Sequence, residues 1–148
     1  MRKSVTAALL PMLLGCVPIG IDPEAPTDSI QQVGVEYRRL SSAELRSTVI
    51  GATVLSLAVT VSGDNAWRYD PAGYYWNFGH RGVPRRGYFW MRPGLVCHRL
   101  GQEEWCDAIY KSQDGRLLRK LIISSAGGNN DFLERIQITP GVTEYPWK

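Results

Sequence analysis

Leu95-Val96-Cys97-His98-Arg99-Leu100-Gly101-Gln102-Glu103-Glu104-Trp105-Cys106 sets two cysteines on either side of a Gly-Gln pair. Two strand-like runs flank Gly101-Gln102, a pair suited to a two-residue type II′ turn with glycine first. In that turn Leu100 opposes Glu103, Arg99 opposes Glu104, His98 opposes Trp105 and Cys97 opposes Cys106. The pair beside the loop is hydrogen-bonded, so alternation makes Cys97 and Cys106 a non-hydrogen-bonded pair, with α-carbons ~4.5 Å apart. That separation is at the short end of what a disulfide spans. Arg99 and Glu104 become a cross-strand ion pair on the same face. The closed loop is short, so the bridge should contribute less than the ~3 kcal/mol of a fifteen-residue loop.

A reactive thiol or a metal site is the rival reading of Cys97-His98 with Cys106-Asp107. Adjacent strand residues point to opposite faces, so His98 turns away from Cys97. The spacing of the two cysteines also lacks the Cys-x-x-Cys pattern of zinc and redox motifs.

On both sides of the hairpin, turn signals punctuate short strands. Asp70-Pro71-Ala72-Gly73 fits a type I turn and Pro93-Gly94 the centre of a type II turn. Between them lie strands over Tyr74–Phe78 and Gly87–Arg92, separated by an irregular loop from Gly79 to Arg86. Ala66–Asp70 precedes them. After the hairpin, whose second strand runs to Gln113, Asp114-Gly115 suits a type I′ turn. A strand follows over Arg116–Ser124, then a loop at Gly127-Gly128-Asn129-Asn130, then a last strand over Phe132–Thr139. Ala52–Ser62 alternates, with Leu55, Leu57, Val59 and Val61 on one face and Ser56, Ala58, Thr60 and Ser62 on the other. That is a half-buried strand and not a membrane helix, although Ser47–Gly63 carries no charge.

About eight short strands joined by tight turns form an antiparallel meander, an all-β fold with one short N-terminal helix. Closing into a small lipocalin-like up-and-down barrel removes the sheet edges; a two-sheet β-sandwich is the alternative. The helix opens at Ser41-Ser42-Ala43-Glu44, a capping box with Leu40 and Leu45 at the staple positions. It should run to near Val49 and stop at Gly51.

At the N-terminus Arg2 and Lys3 precede an apolar run from Val5 to Leu14, far short of the ~20 residues that span a bilayer. Leu13-Leu14-Gly15-Cys16 follows. This resembles the lipobox of bacterial lipoprotein signal peptides. The resemblance implies that residues 1–15 are removed and that Cys16 carries acyl chains, two of which anchor stably. Residues 16–36, with Pro18, Gly20, Pro23 and Pro26, then read as a lipidated tether. The barrel-like domain is expected over 37–141, with a tail at 142–148. Val17 after the cysteine is not the aspartate of an inner-membrane retention signal. The expected location is thus the cell envelope, on the outer membrane facing the periplasm.

The 148-residue chain carries 17 basic and 14 acidic side chains. Removing Arg2 and Lys3 leaves 15 against 14, which argues against nucleic acid as a partner. The charge is segregated, however. No acid lies between Asp70 and Glu103, where Arg81, Arg85, Arg86, Arg92, Arg99, His80 and His98 fall among seven aromatic residues. Guanidinium groups bind phosphate or carboxylate in a fork, and rings stack on flat faces. Arg81, Arg85 and Arg86 on the long loop, with Trp76 and Tyr88, form a candidate patch for an anionic or glycan partner. Lipopolysaccharide, peptidoglycan or an envelope protein fits that chemistry. Alternating strand aromatics are also ordinary core residues, and loop arginines ordinary solvated ones.

From Leu40 to Gly141 the chain resembles a group of small bacterial envelope proteins of unknown function. The likeness rests on Leu40-Ser41-Ser42-Ala43-Glu44-Leu45, on Tyr69-Asp70-Pro71-Ala72-Gly73, and on Gly87 to Trp90 before Leu95-Val96-Cys97. It implies the same fold and disulfide and brings no activity. No catalytic constellation, metal cluster or phosphate loop is legible, so no cofactor is expected. The expected role is a non-enzymatic, lipid-anchored envelope protein that binds a partner or small ligand or stabilises the envelope. An inhibitor of lysozyme is the alternative, and an envelope glycan hydrolase the third reading.

Overall fold

The computed structural model describes residues 28–57, 66–78, 83–127 and 132–141. Ten strands and one helix follow in the order β1 (Ser29–Gln32), β2 (Val35–Arg39), α1 (Ser42–Val49), β3 (Ala52–Ser56), β4 (Ala66–Tyr69), β5 (Tyr74–Phe78), β6 (Arg85–Arg92), β7 (Leu95–Leu100), β8 (Glu103–Ser112), β9 (Leu117–Ser124) and β10 (Leu133–Pro140). From β3 to β10 each strand pairs antiparallel with the next, and β10 pairs back onto β3. The meander thus closes into an eight-stranded up-and-down barrel, and the sandwich alternative is not realised. β1 and β2 are additional: β2 takes up the edge of β8 at Tyr110–Ser112, beyond the reach of β7.

The central hairpin has the register its turn dictates. Leu100 opposes Glu103, Arg99 Glu104, His98 Trp105 and Cys97 Cys106. Gly101 takes φ +65°, as the first position of a type II′ turn requires. Cys97 and Cys106 form the disulfide, their α-carbons 4.0 Å apart, and Arg99 pairs with Glu104. On the neighbouring strand Gly87 is required by space: a β-carbon there would lie 2.1 Å from the Arg99 carbonyl oxygen.

The helix begins where the capping box places it. Ser41 Oγ accepts from the Glu44 amide, and Glu44 accepts from the Ser41 amide at 2.9 Å. Arg38 pairs with the same carboxylate at 2.7 Å; its hydrogen bond, followed by the one from the Ser41 backbone, lowers the Glu44 pKa to about 2. α1 lies across one end of the barrel, touching β3, β10, β6 and β7. Leu40, Leu45 and Val49 plug that end and pack with Val54, Tyr69, Tyr75, Val96, Ile109 and Ile136. A second apolar cluster lies on the other face of β7 and β8, where Cys97, Cys106, Ala108 and Tyr110 meet Tyr37 of β2 and Leu118 of β9.

Four expectations are corrected. Residues 29–36, expected within a tether, are instead part of a hairpin: β1 starts at Ser29, and β1 and β2 are joined by a turn in which Val33 and Gly34 both take positive φ, 52° and 73°. Proline and glycine content suggested an extended segment, but Ser29–Gln32 gains a partner in β2. In β3 the inward face carries Ala52, Val54 and Ser56, while Leu57 is exposed. The serine is inside because its hydroxyl donates to Glu134 of β10. The Asp114-Gly115 turn is not a two-residue type I′ turn. Lys111 pairs with Leu117, Gly115 N–H donates to Ser112 O, and Gly115 takes φ +88°, which is a type I turn followed by a left-handed glycine. Finally, Arg85 and Arg86 belong to β6 and not to a loop, because Asn77 and Trp76 of β5 pair with them. Residues 1–15, expected to be a signal segment, together with Cys16, Arg81, residues 58–62, Gly128–Asn130 and the tail at 142–148 lie outside the described residues.

Candidate functional site

Two surfaces carry chemistry. One is the outer face of β4 to β7. Arg68, Trp76 and Arg86 stand in one cross-strand row; Tyr74, Tyr88 and Arg99 stand in the next. The Arg86 guanidinium lies 5.0 Å from the Tyr74 ring centre and 6.0 Å from that of Trp76. Tyr74 and Tyr88 are 5.7 Å apart, centre to centre. Tyr88 is 57% exposed, and with Trp90 and Arg99 it lines a shallow depression of about 350 Å³. Arg68 is held by Asp70 at 3.6 Å and Arg99 by Glu104. Among the described residues no carboxylate pairs with Arg85, Arg86 or Arg92.

The structure therefore brings Trp76, Arg86 and Tyr88 together as the sequence suggested, on strands and not on a loop. Arg85 does not join them. It is the next residue along β6, so its side chain leaves from the opposite face. Arg81 lies outside the described residues.

The second site is inside the barrel, and the sequence analysis missed it. One step away from α1 along six of the eight barrel strands, the inward residue turns polar. Val54 gives way to Ser56, Tyr75 to Asn77, Val96 to His98, Ile109 to Asp107, Leu117 to Arg119 and Ile136 to Glu134. The bulge between Cys106 and Asp107, where Ile122 of β9 is skipped, is a local device that re-aims a side chain. Arg119 Nε lies 3.0 Å from Glu134, and Arg119 Nη1 lies 3.7 Å from Asp107. His98 Nδ1 is also 3.7 Å from Asp107.

Tyr69 Oη is 2.8 Å from His98 Nε2 and accepts from the Trp67 indole at 3.0 Å. With the indole donating to it, the Tyr69 hydroxyl has its proton to give, so it donates to Nε2 and the imidazole proton sits on Nδ1, facing Asp107. Burial, aided by Arg119, pushes the His98 pKa down to about 3, so the ring is neutral. Burial pushes Asp107 up to about 6, against the pull of Arg119. Burial works against the charge of Arg119 too, but Asp107 and Glu134 outweigh it and hold its pKa up.

This layer is not saturated. His98 Nδ1, both Asp107 oxygens, Arg119 Nε and Glu134 Oε2 are buried without a hydrogen bond of good geometry. Each such atom costs on the order of 1–3 kcal/mol if nothing meets it. Beside the layer is a cavity of about 200 Å³ lined by Trp67, Tyr75, Asn77, Trp105, Arg119, Phe132 and Glu134. The Arg119 guanidinium rests 4.6 Å from the Trp67 ring centre and 5.7 Å from that of Phe132. Phe132 is 45% exposed, so it forms the rim, at the end of the barrel away from α1.

Tyr69, His98 and Asp107 form a chain that looks like a relay, but all three are buried, so none presents a reacting atom to solvent. Among the described residues no group of three or more metal-ligating side chains comes together. The available signal for this site was a lone polar residue in the inward phase of a strand, as in Trp105-x-Asp107-x-Ile109 and Glu134-x-Ile136-x-Ile138. In comparisons with protein-family models, curated proteins and solved structures, nothing matched this chain.

Proposed function

We propose that this is a non-enzymatic protein of the bacterial cell envelope, tethered through a lipid on Cys16, that holds peptidoglycan on the outer face of β5 to β7. The observation that carries the reading is the pair of cross-strand rows, in which Arg86 sits over Tyr74 and Trp76 beside the exposed Tyr88. Flat rings stack on sugar faces, and a guanidinium without a carboxylate partner is open to the carboxylates of peptide stems. No acid lies between Asp70 and Glu103, so the carboxylates beside this surface, Asp70 and Glu104, are those already paired with Arg68 and Arg99. Asp28, where the described chain begins, meets Arg39 and Tyr110 near the end closed by α1. Asp28 is the twelfth residue after Cys16, a reach of up to ~40 Å for an extended chain.

Co-sedimentation with purified sacculi tests the reading. The unlipidated Cys16→Ser protein should pellet with sacculi, and Arg86→Ala with Trp76→Ala should reduce bound protein at least tenfold, with unchanged circular dichroism. Retention by the double variant, or binding to lipopolysaccharide micelles in place of sacculi, would overturn it. In cells, Cys16→Ser should move the protein from the membrane fraction to the soluble one.

A further inference from the structure

We infer that the interior cavity is a binding site for one neutral sugar ring of hexose size, entering past Phe132. The inference is separate from the outer-face reading and shares no residue with it. The space comes first: about 200 Å³ is the liquid volume of about seven waters at ~30 Å³ each, enough for one six-membered ring with its hydroxyls and too small for a chain of them. The walls come next. Trp67, Tyr75, Trp105 and Phe132 present ring surface from four strands or their ends, with Tyr75 edge-on to Trp105 at 5.8 Å. Rings of this kind cover the C–H faces of a sugar and leave its hydroxyl edge to polar groups.

The polar groups decide the class. Arg119 Nε and Glu134 Oε2 face each other as an ion pair at 3.0 Å, without hydrogen-bond geometry, and neither atom has another hydrogen-bond partner. Both line the cavity with Asn77. Glu134 is held in place through its other oxygen by Ser56, and Arg119 by the face of Trp67, so the two atoms stand at fixed positions. Arg119 can only donate, Glu134 can only accept when ionised, and the Asn77 amide does both. A ligand that meets the Arg119–Glu134 pair must give and take hydrogen bonds at neighbouring atoms, beside an Asn77 amide whose nitrogen donates to Tyr75 Oη at 3.1 Å. Adjacent hydroxyls on a ring do so without adding charge. A small anion would face Glu134, and a small cation would face Arg119, each leaving one of the two wall charges opposed by a like charge.

The test uses the full chain with Cys16→Ser, titrated with D-glucose, D-galactose and D-mannose. Butylammonium and butyrate serve as probes of similar size and opposite charge. Trp67 and Trp105 line the site, so intrinsic fluorescence reports occupancy, and saturation-transfer NMR reports which ring protons meet the protein. At least one hexose should bind with a dissociation constant in the ~millimolar range or tighter. Phe132→Ala, at the exposed rim, should weaken binding about fivefold through loss of a stacked ring, with no change in melting temperature. Glu134→Gln should weaken it at least tenfold, the loss expected for a hydrogen bond to a charged group. Arg86→Ala on the outer face should leave it unchanged, which separates this site from the sacculus-binding surface. No response to any of the three hexoses, tighter binding of butylammonium or butyrate than of every hexose, or unchanged hexose binding in Phe132→Ala would overturn the inference.

Discussion

Replacing Asp107 by asparagine should stabilise this protein at neutral pH and not at acid pH. The side chain is completely buried, and burial raises its pKa from 3.8 to about 6. A carboxyl whose folded pKa lies above its unfolded one contributes stability that is fully present below pH ~4 and is lost as the pH climbs through ~6. A shift of about two units at ~1.4 kcal/mol each makes the loss on the order of 3 kcal/mol by pH 7. His98 has the opposite slope. Its folded pKa is depressed from 6.5 to about 3, so its contribution is present above ~6.5 and lost as the pH falls through ~3. The two slopes partly cancel in the wild-type protein, and a single pH profile would hide both. The comparison of wild type with Asp107→Asn separates them, because burial and Arg119, not Asp107, are what depress His98. The variant keeps the volume of the side chain and leaves Arg119 facing Glu134 alone, one charge against one. Urea unfolding of both proteins, followed by tryptophan fluorescence at pH 4, 5, 6 and 7, should show the variant gaining on wild type by about 3 kcal/mol from pH 4 to pH 7. A difference that stays constant across that range, or that moves in favour of wild type as the pH rises, would refute the reasoning.

Two further substitutions probe the backbone. Val33 is 93% exposed and takes φ +52°, a conformation costly for a β-branched residue. Val33→Asn suits the type I′ geometry of the β1–β2 turn and should raise the unfolding free energy by about 1–2 kcal/mol in the same urea assay. Gly87→Ala should do the reverse. The 2.1 Å approach to the Arg99 carbonyl oxygen must be relieved by separating β6 from β7, a loss of at least ~2 kcal/mol, with faster amide exchange at the β6–β7 pairs.

The hairpin was legible because a two-residue loop leaves no freedom of register: once Gly101-Gln102 is the turn, Cys97 must face Cys106. The helix start was legible for a similar reason, since Ser41 and Glu44 satisfy each other within three residues. Closure of the meander followed from the cost of open edges. Where the reading went astray, the deciding partner was far away in sequence. Ser56 faces inward because its hydroxyl donates to Glu134, 78 residues on; by local hydrophobicity alone Leu55 and Leu57 are the better candidates. Arg85 and Arg86 read as loop because their strand is defined only by pairing with Trp76 and Asn77. The β1–β2 turn was hidden by Val33, a residue that no turn preference would place at positive φ. On the outer face, period two sufficed to align Trp76, Arg86 and Tyr88 once the strands were in register.

The interior polar layer was hidden for a different reason. Each of its members is a single polar residue in an otherwise apolar phase, and taken one at a time each looks like a surface position. Only closure of the barrel shows that Ser56, Asn77, His98, Asp107, Arg119 and Glu134 fall at the same height. A barrel of eight strands can fill its interior with side chains, and the end nearest α1 does so with apolar ones. An all-apolar layer would be available to the other end as well, and buried ion pairs seldom improve on it. The layer instead keeps five polar atoms without a well-formed hydrogen bond beside a cavity. If Asp107→Asn is the more stable protein at pH 7, folding does not account for that carboxylate. The reason for retaining it must then lie in what it does for Arg119, which it flanks on the side away from Glu134: the two acids hold the guanidinium charged and aimed at the cavity, where a bound hydroxyl would meet it.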